Sequence, residues 1–364
     1  MSGPRLTVVL AGGGTGGHVI PAIAVAEEIT CRGGEARFVG TADRLEARLV
    51  PNAGFRIDFI EVRPLRGAGA FGVLRGAASL PAAVLRSIAL LKEIEPDVVL
   101  GVGGYVAGPV VLAAKFLRKP TAILEQNATV GLSNRAVAHL VDRAFVTYEE
   151  TMRAFPQRRV ELTGNPVKRA ILEARDKPRR PRRGRPRLLV MGGSQGALAI
   201  DTRVPEAVGE AGLAGAVEVL HQCGVGRRDS VAAKYATRGI DAVVVEFIDD
   251  TASAYLDADL VVARSGATTV SEITAMGLPA VLIPYPHHAD RQQEKNAAPM
   301  RCAGAAIVLD EKSTGVGELA DAVRGLLCDE SALASAAAAS AALGRPDAAR
   351  RITDGLERLA GARR

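Results

Sequence analysis

Short, largely apolar runs of three to six residues recur along the chain, and between them apolar positions return every three or four residues. Runs at 6–10, 37–40, 56–61, 98–101, 121–125, 144–147 and 160–162 predict strands in the first half. Those at 187–191, 217–222, 242–246, 260–263, 280–284 and 306–309 predict strands in the second. Most carry no polar interruption, as expected of strands buried on both faces of a parallel sheet. Helical spacing fits 20–32, 71–95 with a break near Pro81, 197–211, 268–276, and two or three helices within 316–362. Alternation of strand and helix implies right-handed crossovers and doubly wound α/β sheets. Because the pattern restarts near residue 187, two Rossmann-like parallel-sheet domains are expected, with strand C-terminal ends facing across a cleft. The expected division is a first domain over 1–163, a linker over 164–187, a second domain over 188–345, and a helix over 346–364 packing back on the first domain.

Composition supports this division. At 364 residues the chain is long for a single core, and 48% hydrophobic with 24% charged residues excludes disorder as the default. The four cysteines lie far apart without a C-x-x-C pair, which argues against zinc and a disulfide framework and suits a reducing compartment. No stretch has the length and apolarity of a membrane span, and no signal peptide is expected before the first strand. The alanine-rich 331–343 reads as a surface helix. Much of the net charge of +6 sits in 177–187, KPRRPRRGRPR, whose prolines argue for a solvated linker. The alternative is attraction to anionic lipid headgroups, at about 1 kcal/mol per basic residue. Nucleic acid is not an expected partner, since no aromatics interleave the basic run. In 71–91, Leu80, Val84, Ile88 and Leu91 share a helical face flanked by Arg75, Arg86 and Lys92, with Arg63 and Arg66 upstream; this is a core face or a monotopic membrane patch.

The candidate chemistry gathers at strand ends. After the strand at 260–263, Arg264-Ser265-Gly266-Ala267 turns the chain into a helix bearing Glu272. The unpaired N–H groups of such a helix start suit a diphosphate, and the carboxylate suits vicinal sugar hydroxyls. The next strand ends in a loop with His287, His288, Asp290, Gln292 and Gln293, and the two ends together describe a nucleotide-sugar pocket. A glycine turn at 12–17 follows the first strand, but no acidic residue closes the second strand, so nicotinamide binding is not expected. His18 at the mouth of that turn is a candidate base or a structural hydrogen bonder; Glu125 is the rival base or the organiser of its loop. Ser194, Ser265 and Thr268 each read as a phosphate ligand or a helix cap. Residues 192–196 match G-x-S-x-G, which would need His221, His287 or His288 to make a hydrolase. Asp257 and Asp259 look like a metal-binding pair but precede their strand, at the end away from the expected ligand, and read as a solvated turn. No metal or cofactor is expected, which leaves helix N-termini to stabilise a leaving diphosphate.

In chain order, Gly13-Gly14-Thr15-Gly16-Gly17-His18, Gly103-Gly104-Tyr105, Glu125-Gln126-Asn127, Gly164-Asn165-Pro166, Gly192-Gly193-Ser194-Gln195-Gly196, Phe247-Ile248-Asp249-Asp250, Arg264-Ser265-Gly266-Ala267 and Gln292-Gln293 together resemble the peptidoglycan N-acetylglucosaminyltransferase (MurG) family over essentially the whole chain. The resemblance implies a GT-B fold and an inverting transferase. It would move GlcNAc from UDP-GlcNAc to the C4 hydroxyl of MurNAc in lipid I, giving lipid II, peripherally bound at the cytoplasmic face of the membrane. It implies that the second domain holds the donor: Ile248 at the uracil, Glu272 at the ribose, Ser194, Ala267, Thr268 and Thr269 at the diphosphate, and Gln292 or Gln293 at the sugar. The first domain would bind acceptor and membrane, with Gly14, Gly104 and Tyr105 on the acceptor, while Thr15, Gly16, Gly17, His18 and Asn127 complete the donor site. His18 and Glu125 are its candidate catalytic residues. Lys168 stands where the family commonly has a donor-contacting arginine, with Arg169 beside it, and Leu124 where a histidine is frequent. Other cell-wall synthesis proteins are implied as partners. A GT-B transferase with another acceptor, and a nucleotide-sugar-binding regulator without turnover, are the competing readings.

Overall fold

The computed structural model describes residues 5–62, 69–178, 184–193, 196–287 and 290–362, the side chains of 69–79 excepted. The chain divides into two compact units, one of residues 1–168 with 346–364 and the other of residues 169–345.

The first unit carries β1 (Thr7–Gly12), β2 (Glu35–Gly40), β3 (Arg56–Phe59), β4 (Val98–Gly103), β5 (Thr121–Glu125), β6 (Arg143–Val146) and β7 (Val160–Leu162). They form one parallel sheet in the order β3-β2-β1-β4-β5-β6-β7. The second unit carries β8 (Arg187–Met191), β9 (Glu218–Gln222), β10 (Asp241–Val245), β11 (Leu260–Ala263), β12 (Ala280–Leu282) and β13 (Ala306–Val308). Its parallel order is β10-β9-β8-β11-β12-β13. In each sheet the strand order reverses beside the unit's first strand, between β1 and β4 and between β8 and β11. The loops leaving those pairs are where such sheets take ligands.

The apolar runs have a direct cause in this arrangement. Val8 and Leu10 face one core layer and Val9 and Ala11 the other, all fully buried. A strand covered on both faces has no position for a polar side chain, and each such Val or Leu contributes about 1.5–3 kcal/mol on burial.

The last helix, Ala348–Gly361, inserts Ile352, Leu356 and Ala360 into the same layer as Val8, Leu10 and Phe145. Gly355 allows this approach, because a Cβ there would lie 2.6 Å from the Phe145 ring. Arg32 fastens the helix from outside, pairing with Glu28 at 2.8 Å, Asp354 at 2.6 Å and Glu357 at 3.2 Å.

Several boundaries differ from the sequence expectation. The helix Gly69–Ile94 runs through Pro81 instead of breaking there. Of its expected common face, Leu91 is fully buried and Val84 and Ile88 pack on the core, whereas Leu80 is 39% exposed; Leu85, outside that face, is 66% exposed. The helix Gly16–Cys31 starts four residues earlier than expected, which places His18 in its first turn. The strand expected at 98–101 runs on to Gly103, and Gly104 and Tyr105 open the helix Gly104–Phe116. The expected linker contains a helix, Arg169–Arg175, that packs on Thr251–Asp257 in the second unit. Residues 179–183 of its basic run, like Arg63 and Arg66 upstream of the long helix, lie outside the described residues.

Candidate active site

In the first unit the turn after β1 is held from two sides. On one side, Gly103 ends β4 and Gly104 follows it, with φ of 99° and 79°, and a Cβ on Gly104 would collide with the Gly13 carbonyl. Only glycine occupies that region without strain. On the other side, Glu46 starts the helix Glu46–Asn52, 1% exposed. Its Oε2 accepts from Gly14 N–H at 2.8 Å, and its Oε1 from Thr41 N–H at 3.1 Å and Thr41 O–H at 2.8 Å. Sequence reasoning missed Glu46; its one signal was a carboxylate six residues after the second expected strand.

Thr15 precedes the helix as its N-cap, its side chain bonding none of the first backbone N–H groups, and Gly16 and Gly17 are its first two residues. His18 Nδ1 lies 3.2 Å from both Gly13 O and Thr15 Oγ1. A carbonyl can only accept, so these contacts assign the proton of the neutral ring to Nδ1 and leave Nε2 as the acceptor. Nε2 borders Gly103, where a Cβ would stand 2.8 Å away. Burial pulls His18 below the usual histidine value, against the Gly13 bond and the Glu46 charge. The ring is therefore neutral near pH 7 and able to accept a proton.

Glu125 has a different task. It is 1% exposed and accepts from Gly131 N–H at 2.9 Å, Asn134 Nδ2 at 2.9 Å, Asn127 N–H at 3.2 Å and Asn127 Nδ2 at 3.4 Å. Burial raises its pKa despite these donors. Both carboxylate oxygens organise the loop that carries Asn127, whose carbonyl also accepts from Thr151 at 3.2 Å. Tyr105 is 43% exposed beside the Gly104 turn. Lys168 is half-buried, and Arg169 is ion-paired with Glu173 at 2.7 Å.

In the second unit the helix Ala267–Ala275 follows β11. Its N-cap is Gly266, which has no side chain to bond the first N–H groups. Ser265, fully buried, donates to Gln293 O at 2.8 Å and so neither caps nor faces outward. Thr268 is 8% exposed and its hydroxyl has no hydrogen-bond partner. Thr269 follows in the same turn, and Glu272 lies one turn beyond Thr268, on the same face. Glu272 is 7% exposed, and Tyr255 O–H, itself fully buried, donates to its Oε2 at 3.0 Å. Burial and the Glu272 charge push the Tyr255 phenol well above its ordinary pKa, so it remains a donor.

The neighbouring loops are knitted to this helix start. Gln293 Oε1 accepts from Tyr285 N–H at 2.9 Å, and Arg264 donates to Ile283 O at 2.9 Å and Pro284 O at 3.2 Å, pairs with Glu311, and lies over the Tyr285 ring. Gln292, next to Gln293, starts the helix Gln292–Cys302. Ile248 is half-buried in the loop after β10, just before Asp250 caps the helix Thr251–Asp257 through Ser253 N–H at 3.0 Å.

Ser194 and Gln195 lie outside the described residues, as does His288. Of the described glycines on either side of Ser194 and Gln195, Gly193 O accepts from Gly196 N–H at 2.8 Å and from Gln222 Nε2 at 3.1 Å. His221, a partner the hydrolase reading would need, is fully buried between Asp201 Oδ1 at 3.2 Å and Tyr235 O–H at 2.9 Å. His287 packs edge-on against Tyr285. Asp259 accepts from Arg187 N–H at 2.8 Å and Asp257 lies 3.9 Å from the Arg187 guanidinium, both at the strand ends opposite the glycine turns. They act as structural acceptors there.

Both units match known families. Residues 8–146 match the glycosyltransferase family 28 N-terminal domain and residues 187–352 the glycosyltransferase family 28 C-terminal domain. The chain is 45% identical over 352 residues to a UDP-N-acetylglucosamine–N-acetylmuramyl-(pentapeptide) pyrophosphoryl-undecaprenol N-acetylglucosamine transferase of Anaeromyxobacter sp. (strain Fw109-5), covering 96% of this chain and 92% of the relative. A protein of the same description from Geobacter sulfurreducens is 42% identical over 354 residues, with 96% and 97% covered. Among solved structures, Acinetobacter baumannii MurG is similar with a TM-score of 0.77 at 29% identity, over 98% of this chain and 100% of that one. With two parallel-sheet units in this order, the fold is GT-B. The chain therefore belongs to the MurG family of N-acetylglucosaminyltransferases, within glycosyltransferase family 28.

Proposed function

We propose that this chain transfers GlcNAc from UDP-GlcNAc to the C4 hydroxyl of MurNAc in undecaprenyl-pyrophosphoryl-MurNAc-pentapeptide, lipid I, and so makes lipid II. The observation that carries this reading is the helix start at Ala267. There, uncapped N–H groups and the unpartnered Thr268 hydroxyl lie one turn from a buried, pre-oriented carboxylate. Anionic diphosphate and a ribose diol are the chemical complements of those groups. Ala267, Thr268, Thr269 and Ser194 contact the diphosphate in this reading, Glu272 the ribose hydroxyls and the Ile248 backbone the uracil. Gln292 bonds the sugar, because Gln293 already spends its amide oxygen on Tyr285. Thr15, Gly16, Gly17, Asn127 and Lys168 complete the donor site, and Gly14, Gly104 and Tyr105 meet the acceptor.

In the chemical step His18 Nε2 takes the proton of the C4 hydroxyl as its oxygen attacks the anomeric carbon. The bond from that carbon to the diphosphate breaks with its electron pair, and UDP leaves toward the positive end of the Ala267–Ala275 helix. Attack from the opposite side inverts the anomeric configuration. His18 is preferred to Glu125 as base because the Glu125 oxygens are engaged in their own loop.

The chain would work at the cytoplasmic face of the membrane as a peripheral protein. Supporting this, Leu85 and Leu80 project from the helix Gly69–Ile94 beside exposed Arg86 and Lys92, a pairing suited to an anionic bilayer surface. No single described helix is long and apolar enough to cross a membrane.

The test is incubation with a panel of UDP-sugars and a short-chain lipid I analogue. Release of UDP only with UDP-GlcNAc and formation of the disaccharide supports the reading. Turnover with a different donor or acceptor, or binding of UDP-GlcNAc without turnover, overturns it.

A further inference from the structure

The Gly13–Gly14 peptide is bonded at both ends. Its N–H, that of Gly14, donates to Glu46 Oε2 at 2.8 Å, and its carbonyl, Gly13 O, accepts from His18 Nδ1 at 3.2 Å. A carboxylate that binds the N–H of an amide polarises the carbonyl at its other end, which makes that oxygen a stronger acceptor. We propose that Glu46 is the orienting carboxylate of His18, acting through the Gly13–Gly14 peptide as an acidic residue acts directly on a catalytic histidine.

Three features favour this over a loop clamp alone. Glu46 is 1% exposed, so its charge sits in a poorly screened place. Both its oxygens are fixed, one by the turn and one by Thr41, which removes its freedom to reorient. Its position also excludes a side chain at Gly13, since a Cβ there would meet the carboxylate itself. Among the described residues Glu46 is the charged group acting on the His18 ring, and it favours the protonated form against burial. Gly103 and Gly104, packed on the other side, bring no charge. The carboxylate thus holds the Nδ1–H tautomer and stabilises the imidazolium as it forms at Nε2.

The proposal rests on the reading of His18 as base, and its test separates the two. The imidazole nitrogens of His18 are followed by NMR against pH in the full-length protein and in Glu46→Gln, assigned by their loss in His18→Ala. The expected result is that Glu46→Gln moves the titration to lower pH and lowers the Nδ1–H tautomer fraction. Glu46→Asp keeps the charge but withdraws it from Gly14 N–H; it serves where Glu46→Gln does not fold, and must change the tautomer ratio in the same direction. In the transfer assay kcat should fall roughly 10- to 100-fold with donor KM changed less than about twofold, as when a reacting group is slightly misplaced. In a His18→Ala background the same substitution should cost less than about twofold more. Unmoved titration and tautomer, or an undiminished cost in that background, would overturn the proposal. A moved titration in a protein that transfers no GlcNAc supports the relay while refuting the transferase reading.

Discussion

Removing the Tyr255 hydroxyl with Tyr255→Phe tests the ribose site through a group that never reaches the ligand. Tyr255 is fully buried and its O–H donates to Glu272 Oε2 at 3.0 Å. A hydrogen bond to a charged acceptor contributes about 1.5–3 kcal/mol net. That amount is lost in the free and bound protein alike, so it appears as stability. For a unit of this size it corresponds to a fall of roughly 3–12 °C in the transition of the second unit. The loss in affinity is smaller and of different origin. Without the Tyr255 bond the Glu272 carboxylate is held less firmly and the ribose must complete its ordering, at about 0.5–1.5 kcal/mol for one side chain. This weakens UDP binding roughly 2- to 13-fold. Calorimetric titration with UDP and with 2′,3′-dideoxy-UDP checks the origin, because only the first can use Glu272. The variant should bind UDP less well while its affinity for the dideoxy nucleotide stays as in wild type. Equal weakening for both nucleotides, or none for either, would remove Glu272 from the ribose.

Other outcomes follow from the same geometry. His18→Ala should lower kcat by roughly 10²–10⁴. In the wild-type protein activity should fall as pH drops through a His18 value below 6.5, because burial lowers that value and only the neutral ring accepts a proton; an acid limb centred above 6.5 in the kcat/KM profile would contradict this. Gly104→Ala places a Cβ against the Gly13 carbonyl at a φ of 79°. Its backbone strain of about 1–2 kcal/mol should displace the turn, so transfer falls by a larger factor than UDP affinity, and unchanged kcat would refute the packing argument. Leu85→Glu should reduce co-sedimentation with anionic vesicles and leave transfer to a soluble acceptor analogue intact; undiminished sedimentation would move the membrane contact elsewhere.

The strands were legible because burial on both faces leaves the middle of runs such as 121–125, 187–191 and 260–263 apolar, and these match the observed strands end for end. Helix limits were less legible. Pro81 lies on the solvent side of its helix, where the chain continues past it, and two glycines hid the first turn that holds His18. Glu272 and its helix could be placed from local spacing alone. Glu46 could not, because its role depends on the second parallel crossover bringing residue 46 against residues 13 and 14. Tyr255 was equally hidden, since its partner lies 17 residues away on another helix. Ser265 looked like a cap by position, yet the fold turns its hydroxyl to Gln293, a contact set by the loop after β12.

The return of residues 346–364 to the first unit has a consequence for synthesis. Everything from residue 169 to 345 emerges from the ribosome before the helix that carries Ile352 and Leu356. At roughly 5–20 residues per second, the sheet translated first waits about 10–35 s with that apolar strip uncovered. The nascent chain is thus begun at one end and sealed from the other, and in that interval a chaperone has its clearest place to bind.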